Sequence, residues 1–426
     1  MLNWCRQFNI FCFLDSHEYK DDQSDYDWLL AAGCRNSVSL DRKTGFEKLR
    51  AFSLQHKDWM FGHFGYEFTH VNETSQTANE LEVNFGDGFF FIPEMLICCQ
   101  NNEISIECTS FLPESIFNEI QSCNPVIEKN MGAAITLQHG ITANEYKTRL
   151  QSIKKHILRG DCYEINFCQS FYAKDAVIDP FYFYMQLVAL SPNPFSAFYR
   201  LDDLYCLCAS PERFLKKTGE TIISQPIKGT AKRNLSDNAL DEINRKNFAS
   251  SEKEKSENVM IVDLVRNDLS KVCMKGSVQV KELFGIYSFP QVHQMISSIE
   301  GKVDPSTEWT EIIKACFPMG SMTGAPKKKV MELIDKYEQF PRGLFSGSIG
   351  YITPQEYFDF NVVIRSLMYD SSKKLISFKA GGGITFNSDI DKEYEESLLK
   401  ADYLELGDCV LLKAEAIFKT LQMYDV

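Results

Sequence analysis

The sequence has no basic block and no arginine-rich tail: 45 Lys and Arg face 58 Asp and Glu, a formal net charge of −13 over 426 residues. Nucleic acids and anionic membranes are bound through clustered positive charge, so neither is the expected partner. No apolar run reaches the ~20 residues that cross a bilayer. The apolar stretch Phe8–Leu14 is short and runs into Asp15-Ser16-His17-Glu18 without a small-residue cleavage site. It reads as a core strand, not a signal peptide. Cysteine is not scarce, at 14 residues, but no Cys-x-x-Cys spacing occurs. Scattered cysteines with apolar neighbours, such as Cys98-Cys99 and Cys206/Cys208, point to buried reduced thiols in a cytoplasmic protein. What the chain has in quantity is hydrophobic bulk, 44% apolar with 32 Phe and 18 Tyr. That is ample for an extensive core. Length alone would divide such a chain into two or three domains.

Residues 1–125 form a strand-rich N-terminal region, with aromatic pieces such as Trp59–Phe68 and Gly88–Pro93 broken by glycine. His63 and His70 have no third ligand nearby and read as structural. A connector is expected over 126–141, the main region over 142–412 and a tail over 413–426. Thr142 and Glu145 make a capping-box pair, Tyr146, Leu150, Ile153 and Ile157 recur at helical spacing, and Gly160 supplies the stop. Asp179-Pro180 opens a second helix. Strands are expected at Cys162–Cys168, Phe195–Tyr199, Leu204–Leu207, Gly347–Thr353, Phe358–Met368 and Leu375–Ala380.

Several residues carry chemistry under one of two readings. Pro226 fixes φ and Gly229 frees it, so the backbone around Lys228 can be held in one shape. Lys228 is then either a surface lysine in a hairpin or an inward, desolvated amine able to act as a nucleophile. Glu212, beside Pro211 at a strand end, is a general acid or merely Arg213's neighbour in a turn. Glu257 opens an apolar helix in which Asp263 has Arg266 three residues on, whereas Glu257 has no such local partner. Glu393 and Glu396 share a helix face, either solvated or bridged by a divalent cation such as Mg²⁺. Arg365 interrupts an apolar strand, paired inside the sheet or aimed at an anion. Gly320–Lys329 invites a phosphate-loop reading, but Ala325-Pro326 stand where Gly-Lys is required. It reads better as a helix start whose amides suit a carboxylate. Gly381-Gly382-Gly383 lets backbone approach a neighbour closely.

The blocks Pro226–Thr230, Glu257–Leu264 with Arg266–Leu269, Gly320–Pro326, Gly347–Tyr351, Ile364-Arg365 and Ala380–Ile384, followed by Glu393–Glu396, occur in that order. Together they resemble the chorismate-utilising enzymes. The resemblance implies an α+β, anthranilate synthase-like fold: large antiparallel β-sheets packed as a sandwich, with helices outside. It also implies that the N-terminal region and residues 142–412 form one compact unit. The anthranilate-forming branch typically carries alanine where this chain has Lys228. The lysine form is similar to the branch that makes 4-amino-4-deoxychorismate from chorismate and ammonia, on the way to 4-aminobenzoate and folate. What the resemblance implies is attack by Lys228 on C2 of the chorismate ring as the C4 hydroxyl leaves, after which ammonia adds at C4. It implies Glu212 as general acid/base and His293 near the ring. Arg365 and Tyr351 would hold the enolpyruvyl carboxylate, with Thr323, Gly381 and Gly382 lining a carboxylate site. Mg²⁺ would be carried by Glu257 and Glu396, with Glu393 beside them. Glu164 departs from the pattern: ammonia-using relatives more often carry glutamine there, and water-using ones lysine. A Gly-x-Cys-x-Gly turn is absent, so the ammonia is expected from a separate glutamine amidotransferase subunit. The alternatives are anthranilate formation, a non-catalytic binding subunit, or a Schiff-base lyase using Lys228.

Overall fold

The β-branched and aromatic stretches of this chain form strands, because such side chains suit a pleated, half-buried surface. In a computed structural model describing residues 1–19, 23–69, 82–123, 135–290 and 292–399, these strands build two antiparallel sheets. His70, most of the expected connector, the tail 413–426 and the side chain of Glu396 lie outside the described residues.

The larger sheet has eleven strands among the described residues and the second has ten. At the centre of the larger one, Glu164–Ala173, Leu375–Ile384, Ser366–Asp370, Leu204–Ser210, Phe195–Leu201, Ile10–Asp15 and Trp28–Ala32 lie side by side. The second sheet runs from Ile227–Lys232 through Val292–Lys302, Thr221–Gln225, Arg213–Thr218, Phe358–Asn361 and Ser348–Ile352 to Met60–Phe64. Each sheet thus takes strands from before residue 125 and from after residue 142.

Alternation along the strands sorts side chains between two cores. Cys12, Ala31, Tyr199, Cys206 and Cys208 face the core shared with the second sheet, alongside Phe61, Phe64, Ile349 and Phe360. Their neighbours Phe13, Leu30, Phe198, Tyr205 and Leu207 face the other side, which the helix Pro180–Leu190 covers with Phe181, Tyr184 and Leu187. The thiols are small apolar fillers, and burial pushes Cys12 and Cys206 well above the usual thiol range.

Helix ends follow their local signals. Thr142 and Glu145 close a reciprocal capping box on Ala143–Arg159, and Gly160 ends that helix at φ +83°. Asp179 caps Pro180–Leu190 by accepting from the Phe181 amide at 3.0 Å.

One expected element is absent. Phe358–Met368 is not a single strand: Phe358–Asn361 belongs to the second sheet and Ser366–Asp370 to the larger one. Arg365 sits at φ +50°, a left-handed conformation that cannot continue a ladder, so the chain changes sheets there. A similar crossing occurs at Pro211-Glu212, between Leu204–Ser210 and Arg213–Thr218. The crossings are tied together, the Val362 amide donating to the Glu212 carbonyl at 3.0 Å and the Ala209 amide to the Arg365 carbonyl at 3.1 Å.

Candidate active site

Both crossings open onto one cavity, of about 490 Å³, between the sheets. Glu212 and Arg365 enter it from the crossings, Lys228 and Gln294 from the second sheet, and Asn166 from the larger one. Ser321, on the short helical turn Gly320–Met322, completes the polar lining.

Lys228 is 2% exposed, and its Nζ stands 2.6 Å from Oε1 of Glu164, which is equally buried. The pair therefore joins the two sheets. Burial alone would pull the lysine down, but the carboxylates of Glu164, Glu257 and Glu212 outweigh it and hold its pKa above the usual lysine value. Gly383 makes room for this pair: a Cβ there would lie 2.6 Å from Glu164 Oε1 and 2.7 Å from Lys228 Nζ. On the other side of Lys228, Gly229 takes φ +95°, and a Cβ there would meet Glu254 Oε2 at 2.6 Å.

The cavity leaves polar atoms unsatisfied. The Gln294 side-chain amide nitrogen and oxygen, Ser321 Oγ and Glu164 Oε2 are buried without a hydrogen-bond partner among the described residues. Each such group costs about 1–3 kcal/mol when left alone, so a polar ligand has much to satisfy here. Arg365, 2% exposed, adds a guanidinium whose planar fork suits a carboxylate.

A second acidic element borders Lys228. The helix Glu252–Ser270 carries Glu257, 7% exposed, whose carboxyl burial pushes upward while Lys228 and Lys253 draw it back in part. One turn earlier, Glu254 Oε2 is buried and has no hydrogen-bond partner among the described residues. Two carboxylates one turn apart suit Mg²⁺, which takes one or two carboxylates and fills its shell with water and substrate oxygens. Glu393 is partly buried on the helix Ile390–Leu399, which also bears Glu396. Among the described residues, no three His, Cys, Asp or Glu side chains are grouped closely enough to hold a metal on their own.

The family model for chorismate binding enzymes matches residues 16–405, nearly the whole chain. The chain belongs to the chorismate-binding enzyme family. It is 38% identical over 265 residues to aminodeoxychorismate synthase component 1 of Escherichia coli K12, covering 62% of this chain and 58% of that protein. The match thus spans little more than half of that relative's length. It is 30% identical over 355 residues to an anthranilate synthase component I-like protein of Synechocystis, covering 82% of this chain and 72% of the relative. The crystal structure of anthranilate synthase component I from Streptococcus pneumoniae superposes with a TM-score of 0.78 at 22% identity, over 91% of this chain and 93% of that one. The fold is therefore the anthranilate synthase-like α+β sandwich expected for a chorismate-binding enzyme.

Of the residues singled out in the sequence, Lys228, Glu212, Arg365 and Gly381 line the cavity, with Glu164 paired to Lys228 and Glu257 close enough to act on Lys228 electrostatically. His293, Tyr351, Thr323 and Gly382 do not line it. His293 points to the opposite face of its strand, where Nδ1 meets Ser288 Oγ at 2.8 Å and Nε2 meets Asp241 Oδ1 at 3.2 Å. Its neighbour Gln294 faces the cavity instead. Tyr351 lines a different cavity, beside Tyr26, Arg213 and Asp359, and the ring at the Lys228 cavity is that of Phe345. The Thr323 hydroxyl is spent within its own turn, on the carbonyls of Met319 and Gly320, and Ser321 supplies the cavity hydroxyl. Gly382 alternates away from Gly381 and Gly383, paired in register with Phe167. Gly381–Gly383 is not a loop but the end of the strand Leu375–Ile384, and a Cβ at Gly381 would collide with Cys168 Sγ at 2.4 Å. The residues missed in the sequence are Gln294, Ser321, Phe345 and Glu254. Only strand alternation carried a signal, since Gln294 follows His293; of the glycines singled out, Gly383 is the one that sits against the Lys228–Glu164 pair.

Proposed function

We propose that this chain converts chorismate and ammonia to 4-amino-4-deoxychorismate, the activity that the Escherichia coli relative's name describes. The observation that carries this reading is Lys228: a lysine, not the alanine of anthranilate-forming enzymes, buried at the heart of the cavity beside Glu212 and Arg365. In this mechanism the neutral Lys228 amine attacks C2 of the ring, both ring double bonds shift, and the C4 hydroxyl leaves as water with a proton from Glu212. Ammonia then adds at C4, the lysine departs with its bonding pair, and Glu212 recovers a proton from the new C4 ammonium. Arg365 holds a substrate carboxylate through its fork, and Gln294 and Ser321 supply hydrogen bonds that the protein itself leaves unused. Mg²⁺ would be held by Glu257 with Glu254, Glu393 and Glu396, and would supply positive charge against a substrate carboxylate.

The ammonia source is a separate glutamine amidotransferase subunit, a reading supported by the "component 1" in the Escherichia coli relative's name. The product feeds 4-aminobenzoate and folate synthesis. A cytoplasmic location fits the unbridged described cysteines, and no helix among the described residues is long and apolar enough to cross a membrane. Anthranilate formation is the second reading, favoured by the Synechocystis relative, whose match covers more of this chain.

Product analysis separates the two. Purified protein with chorismate, Mg²⁺ and ammonium should yield 4-aminobenzoate only after an aminodeoxychorismate lyase is added. Anthranilate without the lyase would overturn the assignment. Lys228→Ala should lower turnover by more than about 10³-fold, as loss of a covalent nucleophile does.

A further inference from the structure

The mechanism needs Lys228 as a neutral amine, yet three carboxylates around it favour the ammonium. Its proton must go somewhere, and the cavity limits where. Glu164 Oε1 is 2.6 Å away with both groups 2% exposed, so the proton has a direct acceptor and no need of bulk water. The second carboxylate oxygen, Oε2, is buried and has no hydrogen-bond partner among the described residues. Oε2 thus has a lone pair that the described residues leave unused, while Oε1 faces the lysine. Gly383 sits against both atoms of the pair, and a side chain there would displace one or both of them.

We propose that Glu164 takes the Lys228 proton as the lysine attacks, keeps it through the covalent stage, and returns it when the lysine leaves. This rests on the reading of Lys228 as nucleophile. In the first half-reaction, ammonium and carboxylate become amine and carboxylic acid. The amine's lone pair forms the bond to C2, the C4–O bond breaks, and the departing hydroxide takes its proton from Glu212. In the second half-reaction the C2–N bond breaks with its electron pair staying on nitrogen. The freed amine then takes back the Glu164 proton. No proton crosses to solvent on account of the lysine. Glu164 is thus a positioning and proton-holding residue that acts through Lys228. The other charged groups facing the pair are Glu212 at the sheet crossing, Glu257 and Glu254 on Glu252–Ser270, and Arg365. Glu164 is the carboxylate that stands 2.6 Å from the amine.

The readout is the pH dependence of adduct formation. Full-length protein with Mg²⁺ and chorismate, but no ammonia, is acid-quenched at intervals, and intact mass spectrometry follows the gain of chorismate less water. In the wild type the rate should change less than about twofold between pH 6 and 8, since the lysine proton stays inside the site. Glu164→Gln keeps the shape but not the acceptor, so the proton must leave to solvent and the rate should rise about tenfold or more over that interval. Any falling limb from Glu212 is common to both. Gly383→Ala, which separates the pair without altering either group, should acquire the same slope. An adduct that forms with the same pH profile in Glu164→Gln as in the wild type would overturn the role of Glu164 alone. Normal turnover with ammonia in Lys228→Ala, with no adduct in the wild type, would overturn the lysine reading and this proposal with it.

Discussion

Two cavities of nearly equal size lie between the sheets, about 490 Å³ around Lys228 and about 500 Å³ around Tyr351. Each contains an almost fully buried arginine, Arg365 in the first and Arg213 in the second. The second is internally balanced: Arg213 closes on Asp359 through two contacts of 3.1 Å, Asp25 meets Lys216 at 2.7 Å, and Asp15 accepts from the His17 amide at 2.9 Å. In the first, the Gln294 amide and the Ser321 hydroxyl have no protein partner among the described residues, nor does an oxygen of Glu164 beside Lys228. What sets the two apart chemically is the count of buried polar atoms that the chain does not itself satisfy.

This contrast can be broken by mutation. The largest effect is expected at Glu212→Gln, which keeps shape and removes the proton: turnover should fall about 10²–10⁴-fold with the melting temperature unchanged. A loss of stability instead would make Glu212 part of the scaffold. Arg213→Met in the balanced cavity should do the reverse. It strands Asp359, which burial already pushes above the usual carboxylate range, and should cost about 3 kcal/mol in urea unfolding. Turnover per folded molecule should fall far less than in Glu212→Gln, because the Arg213 side chain lines the other cavity even though it adjoins Glu212 in the chain. Tyr351→Phe is the smallest change. The KM for chorismate should shift less than about twofold, and a tenfold rise would return Tyr351 to the substrate's path.

Much of this was legible in sequence because short-range signals dominate it. The capping box at Thr142 and the Asp179-Pro180 start specify their helices within four residues, and no tertiary contact needs to be known. The motifs carrying Lys228, Glu212 and Arg365 likewise fall where the chain must make an unusual local turn. What could not be read was direction. His293 and Gln294 are adjacent on one strand, and a shift of one residue sends a side chain to the other face. Nothing local says which is inward, since both strand faces are buried. Tyr351 likewise lines the other cavity, while Phe345, in the turn before its strand, reaches the one around Lys228. The strand expected over Phe358–Met368 is apolar on both sides of its break, so only the φ of Arg365 reveals the change of sheet.

The Lys228–Glu164 contact spans two separate sheets. Chemistry here is therefore a gauge of alignment between two plates, each stiffened by strands from both ends of the chain. A strand at residue 12 and one at residue 61 touch no reacting atom, yet they help set how the plates lie. Packing changes far from the cavity will surface first as lost turnover and only later as lost structure.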